Sequence, residues 1–346
     1  MELGKKIKHL RFQAGLTQEQ LAEKLGIGAQ SVSKWENAVA MPDIAALPLL
    51  AEIFGVSIDD LFDVTTEQRL NRIENRMDAE EELPSDVFRE FESFLRAELD
   101  DPKHQKRATE LIAYLYWHRM NAEAQKASRY AKEAIRRAPN EKGCQWLLSK
   151  TDNHAVWDWN MCNHSKAIDF YQELAEDHPD AALPYMYLLD NLIADHRADE
   201  AELWLERFCA LDNANPVMKQ VFRAYIALAR FDEASGDKIM EDLLAEQPDN
   251  DGALFEAAQY YAAKADYKKA IRIYERAFAE DIRRPRFQDA LMGIADIYEI
   301  TGDYANAAQT YDRIIDLLEN EWGLTEETDL SVTAAKKEKM RLLAKV

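Results

Sequence analysis

Glycine, proline and cysteine are all scarce in this chain of 346 residues, which holds 11 Gly, 10 Pro and three Cys. So little glycine and proline beside 47% hydrophobic residues excludes a collagen-like or low-complexity chain and suits an almost wholly helical one. Cys144, Cys162 and Cys209 are odd in number, far apart and without a CxxC. They exclude a disulfide framework and read as reduced core thiols of a cytoplasmic protein. No run approaches the roughly 20 apolar residues of a membrane span. The opening MELGKKIKHL has charges but no apolar core, so no signal peptide is expected. A glycine-rich phosphate loop, GxSxG, HExxH and kinase phrases are equally missing. His154, Cys162 and His164 lie close together, yet their spacing matches no zinc framework and a fourth ligand is not evident. The carboxylates are spread over repeat surfaces rather than paired. No enzyme activity, bound metal or cofactor is therefore expected.

Positive charge is also in short supply overall, with a net charge of -21. Its distribution decides what this excludes. Residues 1–62 hold six basic side chains (Lys5, Lys6, Lys8, Arg11, Lys24, Lys34) against eight acidic ones, leaving -19 for the rest of the chain. A generic nucleic-acid binder is excluded. A local contact is not, provided the acidic body stays away from phosphate.

What is present is concentrated in residues 17–37, TQEQLAEKLGIGAQSVSKWEN. Thr17-x-x-Gln20 is a capping box that starts one helix, and Gly26 ends it. Leu21, Ala22 and Leu25 follow at helical spacing. A second helix over about 28–37 buries Val32 and Trp35 and leaves Gln30, Ser31, Ser33 and Lys34 outside. Amide, hydroxyl and ammonium groups on one exposed face can hydrogen-bond base edges and phosphates. A basic helix over 2–14 with Leu3, Ile7 and Leu10 on one face precedes this pair. Asp43–Phe54 and a short helix capped by Ser57-Ile58-Asp59-Asp60, burying Leu61 and Phe62, follow it.

The phrases LRFQAGLTQEQLAEKLG, SVSKWEN, MPD and FGVSIDDLF across residues 3–63 resemble the lambda-repressor-like, or XRE-type, helix-turn-helix domain. The resemblance implies five helices that carry the second of the central pair into a DNA major groove. It places Gln18 on phosphate, Gln30, Ser33 and Lys34 on base edges, and Ser31 and Asn37 nearer the backbone. It also implies an ion pair between Arg11 and Glu36. The sequence departs from the family at Ala38-Val39-Ala40-Met41, where Gly and then a basic residue are usual. Ala29 offers only an apolar contact, for instance to a thymine methyl. Weaker binding than that of a strongly basic relative is expected.

Residues 64–84 change character. Leu70, Ile73 and Met77 form a stripe that is either an a/d dimer seam or the buried face of a connecting helix; the second is preferred because the stripe spans barely one heptad. From residue 85 onward the chain repeats. Ala127-Ala131-Ala134-Pro139, Ala167-Tyr171-Leu174-Pro179, Ala201-Leu205-Phe208, Gly236-Met240-Leu243-Pro248, Ala270-Tyr274-Ala277 and Ala307-Tyr311-Ile314 recur every 34–40 residues. They resemble the tetratricopeptide pattern, in which the small residue lets paired helices approach and the large ones fill the groove between hairpins. Residues 85–101 and about 326–345, with Leu342 and Leu343 apolar, are expected to cap the two ends. The first helix of each hairpin would line a concave groove including Tyr116, Arg119, Trp159, Asn160, Asp190, Tyr225, Phe255, Gln259 and Asp296. Aromatics among polar side chains suit an extended peptide or protein ligand.

The sequence thus predicts an all-α protein: a helix-turn-helix domain over 1–63, a helical linker over 64–84, and a right-handed TPR-like α-solenoid over 85–346. The layout resembles the peptide-responsive regulators of the Rgg/PlcR group. It implies a cytoplasmic, dimeric transcription regulator of a pseudo-palindromic double-stranded DNA operator, without membrane contact. A repeat-based interaction adaptor with a weak or vestigial head is the alternative.

Overall fold

A computed structural model describes residues 3–56, 58–62, 65–139, 143–152 and 163–346, and no strand occurs among them. The chain divides into two compact units, Met1–Met120 and Asn121–Val346.

The first unit opens with α1 (Leu3–Gln13), α2 (Gln18–Leu25) and α3 (Ala29–Glu36). A single 3-10 turn, Ile44–Ala46, then leads into α4 (Leu47–Phe54), and α5 (Ile58–Leu61) follows. Asp43 starts the 3-10 turn by accepting from the Ala45 N–H at 2.9 Å. Leu3, Ile7, Leu10, Leu21, Val32, Trp35, Leu50 and Leu61 form one core. Phe62, expected inside, is 43% exposed. Leu61 fills the core position, and the next residue lies about 100° further round the turn.

A second core joins α6 (Thr66–Ala79), α7 (Ser85–Ala97) and α8 (Gln105–Arg137). Leu70, Ile73 and Met77 are buried there with Phe88, Phe91, Leu95, Ala108, Leu111 and Leu115. The apolar stripe of α6 is therefore filled by the chain's own helices, which leaves no seam for a partner helix. Arg107 fastens α8 to α6 through Glu67 at 2.7 Å, Asn71 at 2.6 Å and Glu74 at 2.8 Å.

The first of the six expected hairpins does not form. Ala127, Ala131 and Ala134 lie on α8, which runs unbroken for 33 residues. Between Gln105 and Arg137 there is neither Gly nor Pro, and Ala, Lys, Arg, Glu and Leu dominate. Those residues favour continued helix, and nothing supplies a turn.

The second unit continues through α9 (Gln145–Thr151) and α10 (Ser165–Asp177) into four hairpins. These are α11 (Ala182–Ala194) with α12 (Ala198–Cys209), α13 (Pro216–Ala229) with α14 (Glu233–Glu246), α15 (Asp251–Ala263) with α16 (Tyr267–Glu280), and α17 (Asp289–Ile300) with α18 (Tyr304–Asn320). The small residues Ala201, Gly236, Ala270 and Ala307 are all buried on the second helices. Gly236 shows why: a Cβ there would stand 2.3 Å from the Tyr260 hydroxyl.

Each hairpin turns at one residue of positive φ: His196 (56°), Phe231 (62°), Ala265 (63°) and Gly302 (79°). The following N–H then closes the turn onto a carbonyl five residues back, as from Asp266 to Tyr261 at 2.9 Å and from Asp303 to Tyr298 at 2.8 Å. Asp232, Asp266 and Asp303 also cap the next helix through their side chains. α19 (Leu330–Leu343) closes the array with Val332, Ala335 and Leu342 buried. Leu343 is exposed, standing about 100° round the helix from Leu342 at the helix end. Cys144 and Cys209 are free and half-buried rather than core thiols. Cys162 lies outside the described residues.

Candidate nucleic-acid interface

The helix pair α2–α3 is held at both its start and its turn. Thr17 Oγ1 accepts from the Gln20 N–H at 3.1 Å, and the Gln20 side chain accepts from the Thr17 N–H at 2.8 Å. Gly26, at φ 67°, ends α2 in the left-handed conformation that glycine adopts without strain. Against the inner side of α3, α1 comes so close that a Cβ on Gly4 would lie 1.9 Å from the Trp35 carbonyl oxygen.

A buried ionic cluster locks this contact. Arg11 donates from Nε to Glu36 Oε1 at 2.6 Å and from Nη2 to Oε2 at 3.0 Å. Its third donor reaches the Leu16 carbonyl at 2.7 Å, and Gln18 Nε2 donates to Glu36 Oε2 at 2.8 Å. Burial pushes the Glu36 carboxyl up, but the hydrogen bonds from Arg11 and Gln18 outweigh it and hold the group below the usual carboxylate range. Two consequences bear on the interface. Arg11 is spent on structure, so it is not a phosphate ligand. Gln18 has one amide donor turned inward and its side chain is half-buried.

On the outer side of α3, Gln30, Lys34 and Asn37 are exposed, and Ser31 and Ser33 are half-buried. Gln30, Ser33, Lys34 and Asn37 follow the three-and-four spacing of one helix face, with Ser31 on its flank. Asn37 Nδ2 donates to the Ser33 carbonyl at 2.8 Å, closing the helix end. Ala38 then takes φ 56°, a left-handed conformation that glycine adopts without strain. Val39, Met41 and Ile44 stand exposed just beyond it.

Residues 7–61 match the helix-turn-helix family model, and residues 255–321 match the tetratricopeptide repeat. A helix-turn-helix transcriptional regulator of Methanocaldococcus jannaschii, MJ0272, is 39% identical over 57 residues, 16% of this chain and 86% of that one. The chain belongs to the helix-turn-helix family. The family's transcriptional activator BcrR of Enterococcus faecalis is 38% identical over 76 residues, and the regulator ImmR of Bacillus subtilis 43% over 61. These alignments take in 22% and 18% of this chain, and it spans only 37% and 48% of those two relatives. Among solved structures, Bacillus thuringiensis PlcR in complex with the peptide PapR7 and DNA aligns over 99% of both chains at 14% identity. Its TM-score of 0.25 does not establish a common arrangement.

The second set of expected site residues is divided by the fold. Tyr116 and Arg119 lie on the first half of α8, in the unit ending at Met120. There the Tyr116 hydroxyl donates to Glu92 at 2.6 Å, and the Arg119 guanidinium covers the Phe88 ring at 4.6 Å. Trp159 and Asn160 lie outside the described residues. Asp190, Tyr225, Phe255, Gln259 and Asp296 fall on the first helices of the four hairpins, α11, α13, α15 and α17, each of which contacts the next. Sequence reasoning missed Glu256 beside them. It is half-buried, and burial together with the charge of Asp190 pushes its carboxyl up. The Asp190 carboxyl, although open to water, is raised to about 6 by the protein around it, and burial also raises that of Asp296. Tyr225, half-buried nearby, is raised chiefly by burial and then by Glu256. The i+1 neighbour of Phe255 could have been found by noting that a helix face is rarely one residue wide.

Among the described residues no helix is long and apolar enough to cross a membrane.

Proposed function

We propose that this protein regulates transcription by binding double-stranded DNA sequence-specifically through α3. Gln30, Ser33 and Lys34 read base edges in the major groove, while Gln18, Ser31 and Asn37 set the helix against the phosphate backbone. The observation that carries this is the Arg11–Glu36–Gln18 cluster, which fixes α3 at a buried junction while keeping its polar face outward. The relatives' names, activator and regulator, support the same reading. One head covers one half-site, so the protein acts as a homodimer on a pseudo-palindrome, its half-sites a whole number of helical turns apart. The repeats serve as a sensing or assembly body, and the first-helix face bearing Asp190, Tyr225, Phe255, Gln259 and Asp296 receives an extended peptide or protein ligand. Such a ligand acts on the heads only through a difference in affinity between two states of the body.

Genomic footprinting of the wild type beside a Gln30→Ala, Lys34→Ala double variant tests the assignment. Discrete protected palindromes that vanish in the variant, with self-association unchanged, are expected. Site affinity surviving the double substitution overturns the role of α3. Retention that is independent of sequence and lost with salt favours instead a repeat adaptor with a residual head, a reading that the acidic body and the positive φ of Ala38 support.

A further inference from the structure

At the corner where α7 passes into α8, three side chains with metal-ligating atoms converge within seven residues. Glu98 closes α7 at the start of a 3-10 turn, Asp101 follows that turn, and His104 directly precedes α8. Their ligand atoms all lie within 4.8 Å of one another. His104 Nδ1 stands 3.1 Å from Glu98 Oε2 and 3.0 Å from Asp101 Oδ2. The imidazole and the Glu98 carboxylate are largely sheltered, at 12% and 18% exposed, while Asp101 opens to solvent at 49%.

The surrounding charges leave this group to itself. Among the described residues no Lys or Arg side chain pairs with either carboxylate; the other side-chain oxygen of Asp101 accepts the backbone N–H of Lys103 at 2.9 Å. The two nearest long cations of α8 are drawn elsewhere, Lys106 toward Glu110 and Arg107 to Glu67 and Glu74. With His104 neutral, the three groups carry two negative charges, which a divalent ion balances.

We propose that Glu98, Asp101 and His104 form a binding site for a divalent transition ion of the Zn2+ or Mn2+ class. Two ligand atoms each about 2.1 Å from such an ion stand about 3.0 Å apart at an octahedral angle and about 3.4 Å apart at a tetrahedral one. His104 Nδ1 lies at hydrogen-bond distance from one oxygen of each carboxylate, and a small outward shift of these side chains admits a common ion. The imidazole favours Zn2+, the two carboxylates and open water positions also suit Mn2+, and the nitrogen ligand disfavours Mg2+ and Ca2+, which prefer all-oxygen sets. Three protein ligands leave coordination positions for water, so the ion exchanges with solution rather than being sealed in as a closed four-ligand structural site. Because all three ligands lie on one corner, little chain entropy is spent in assembling them. The site also sits one turn before Arg107, the residue that fastens α8 to α6, so occupancy braces the three-helix core that follows the DNA-binding head.

The test is titration of the purified full-length chain with Zn2+ and Mn2+ against a competing chelator, with melting followed in parallel. The wild type is expected to take up one ion per chain, to melt at higher temperature with it, and to keep it in excess Mg2+. His104→Gln and the isosteric Glu98→Gln should each weaken that uptake at least about tenfold, while His164→Gln leaves it unchanged. Co2+ loading should give visible bands in the wild type that both ligand variants lose. The same uptake in Glu98→Gln and His104→Gln as in the wild type overturns the assignment. So does an absence of uptake at micromolar Zn2+ and Mn2+, which would make His104 a plain ion-pair partner of the two carboxylates. Neither outcome depends on whether the protein binds DNA.

Discussion

Glu36 carries the largest consequence of any single residue in the head. Its carboxyl is held below the ordinary range, so its contribution is fully present above about pH 4.3, the value of an unfolded glutamate, and is lost as pH falls through the lower folded value. Acid should therefore loosen the α1–α3 junction. Glu36→Gln should cost roughly 3 kcal/mol near neutral pH, since it leaves the buried Arg11 guanidinium without its counter-charge. Chemical denaturation followed between pH 3 and 7 checks both statements, because the variant should lose part of the acid dependence that the wild type shows. Ala38 is the opposite case. Held at φ 56°, it carries strain that glycine would not, and Ala38→Gly should stabilise the head by about 1 kcal/mol. A melting temperature unchanged or lowered in that variant would show the turn to be relaxed. The strain was legible in the sequence, since the residue after WEN stands where a helix must end. The inward turn of Gln18 was not, because it depends on where Glu36 sits after α1 and α3 have packed.

Among the elements, the hairpin turn is what the repeats hold in common. His196, Phe231, Ala265 and Gly302 are separated by 35, 34 and 37 residues, in step with the small residues Ala201, Gly236, Ala270 and Ala307. The left-handed residue always comes five before the small one. One local geometry thus sets both the reversal of the chain and the depth at which the second helix seats. Gly302→Ala should destabilise its hairpin, and Ala265→Gly should stabilise its own, each by about 1 kcal/mol. Hydrogen exchange of α15–α18 amides reads the two changes separately, and equal effects of one sign would refute the shared geometry. Four hairpins were legible because their anchors recur at fixed intervals. α8 was misread for the same reason, since Ala127, Ala131 and Ala134 imitate the spacing on a helix that no Gly or Pro interrupts. The corner of Glu98, Asp101 and His104 went unnoticed because its three-residue spacing is ordinary in any helical chain; the signal was a histidine among carboxylates at a break between helices.

For the molecule as a whole, charge sets the terms of the proposed DNA binding. Arg11 is consumed inside the fold, which leaves Lys5, Lys6, Lys8, Lys24 and Lys34 as the side-chain cations of the head. Each phosphate neutralised contributes about 0.9 to the slope of log affinity against log salt, so a dimer should show a slope no steeper than about -9. Fluorescence anisotropy across a salt series measures it, and a markedly steeper slope would require cations from beyond the head to reach the DNA. The composition and periodicity of the chain were enough to indicate an all-helical protein, a helix-turn-helix segment near its start and the run of small-residue anchors, because these depend on neighbours within a turn or two. Tertiary structure alone decided that the α6 stripe packs inward, that α8 is a single helix, and that Gln18 joins the Arg11–Glu36 pair. It also brought Glu256 near Asp190. Contacts of that kind join residues tens of positions apart, and only the packed chain determines which of them desolvate one another.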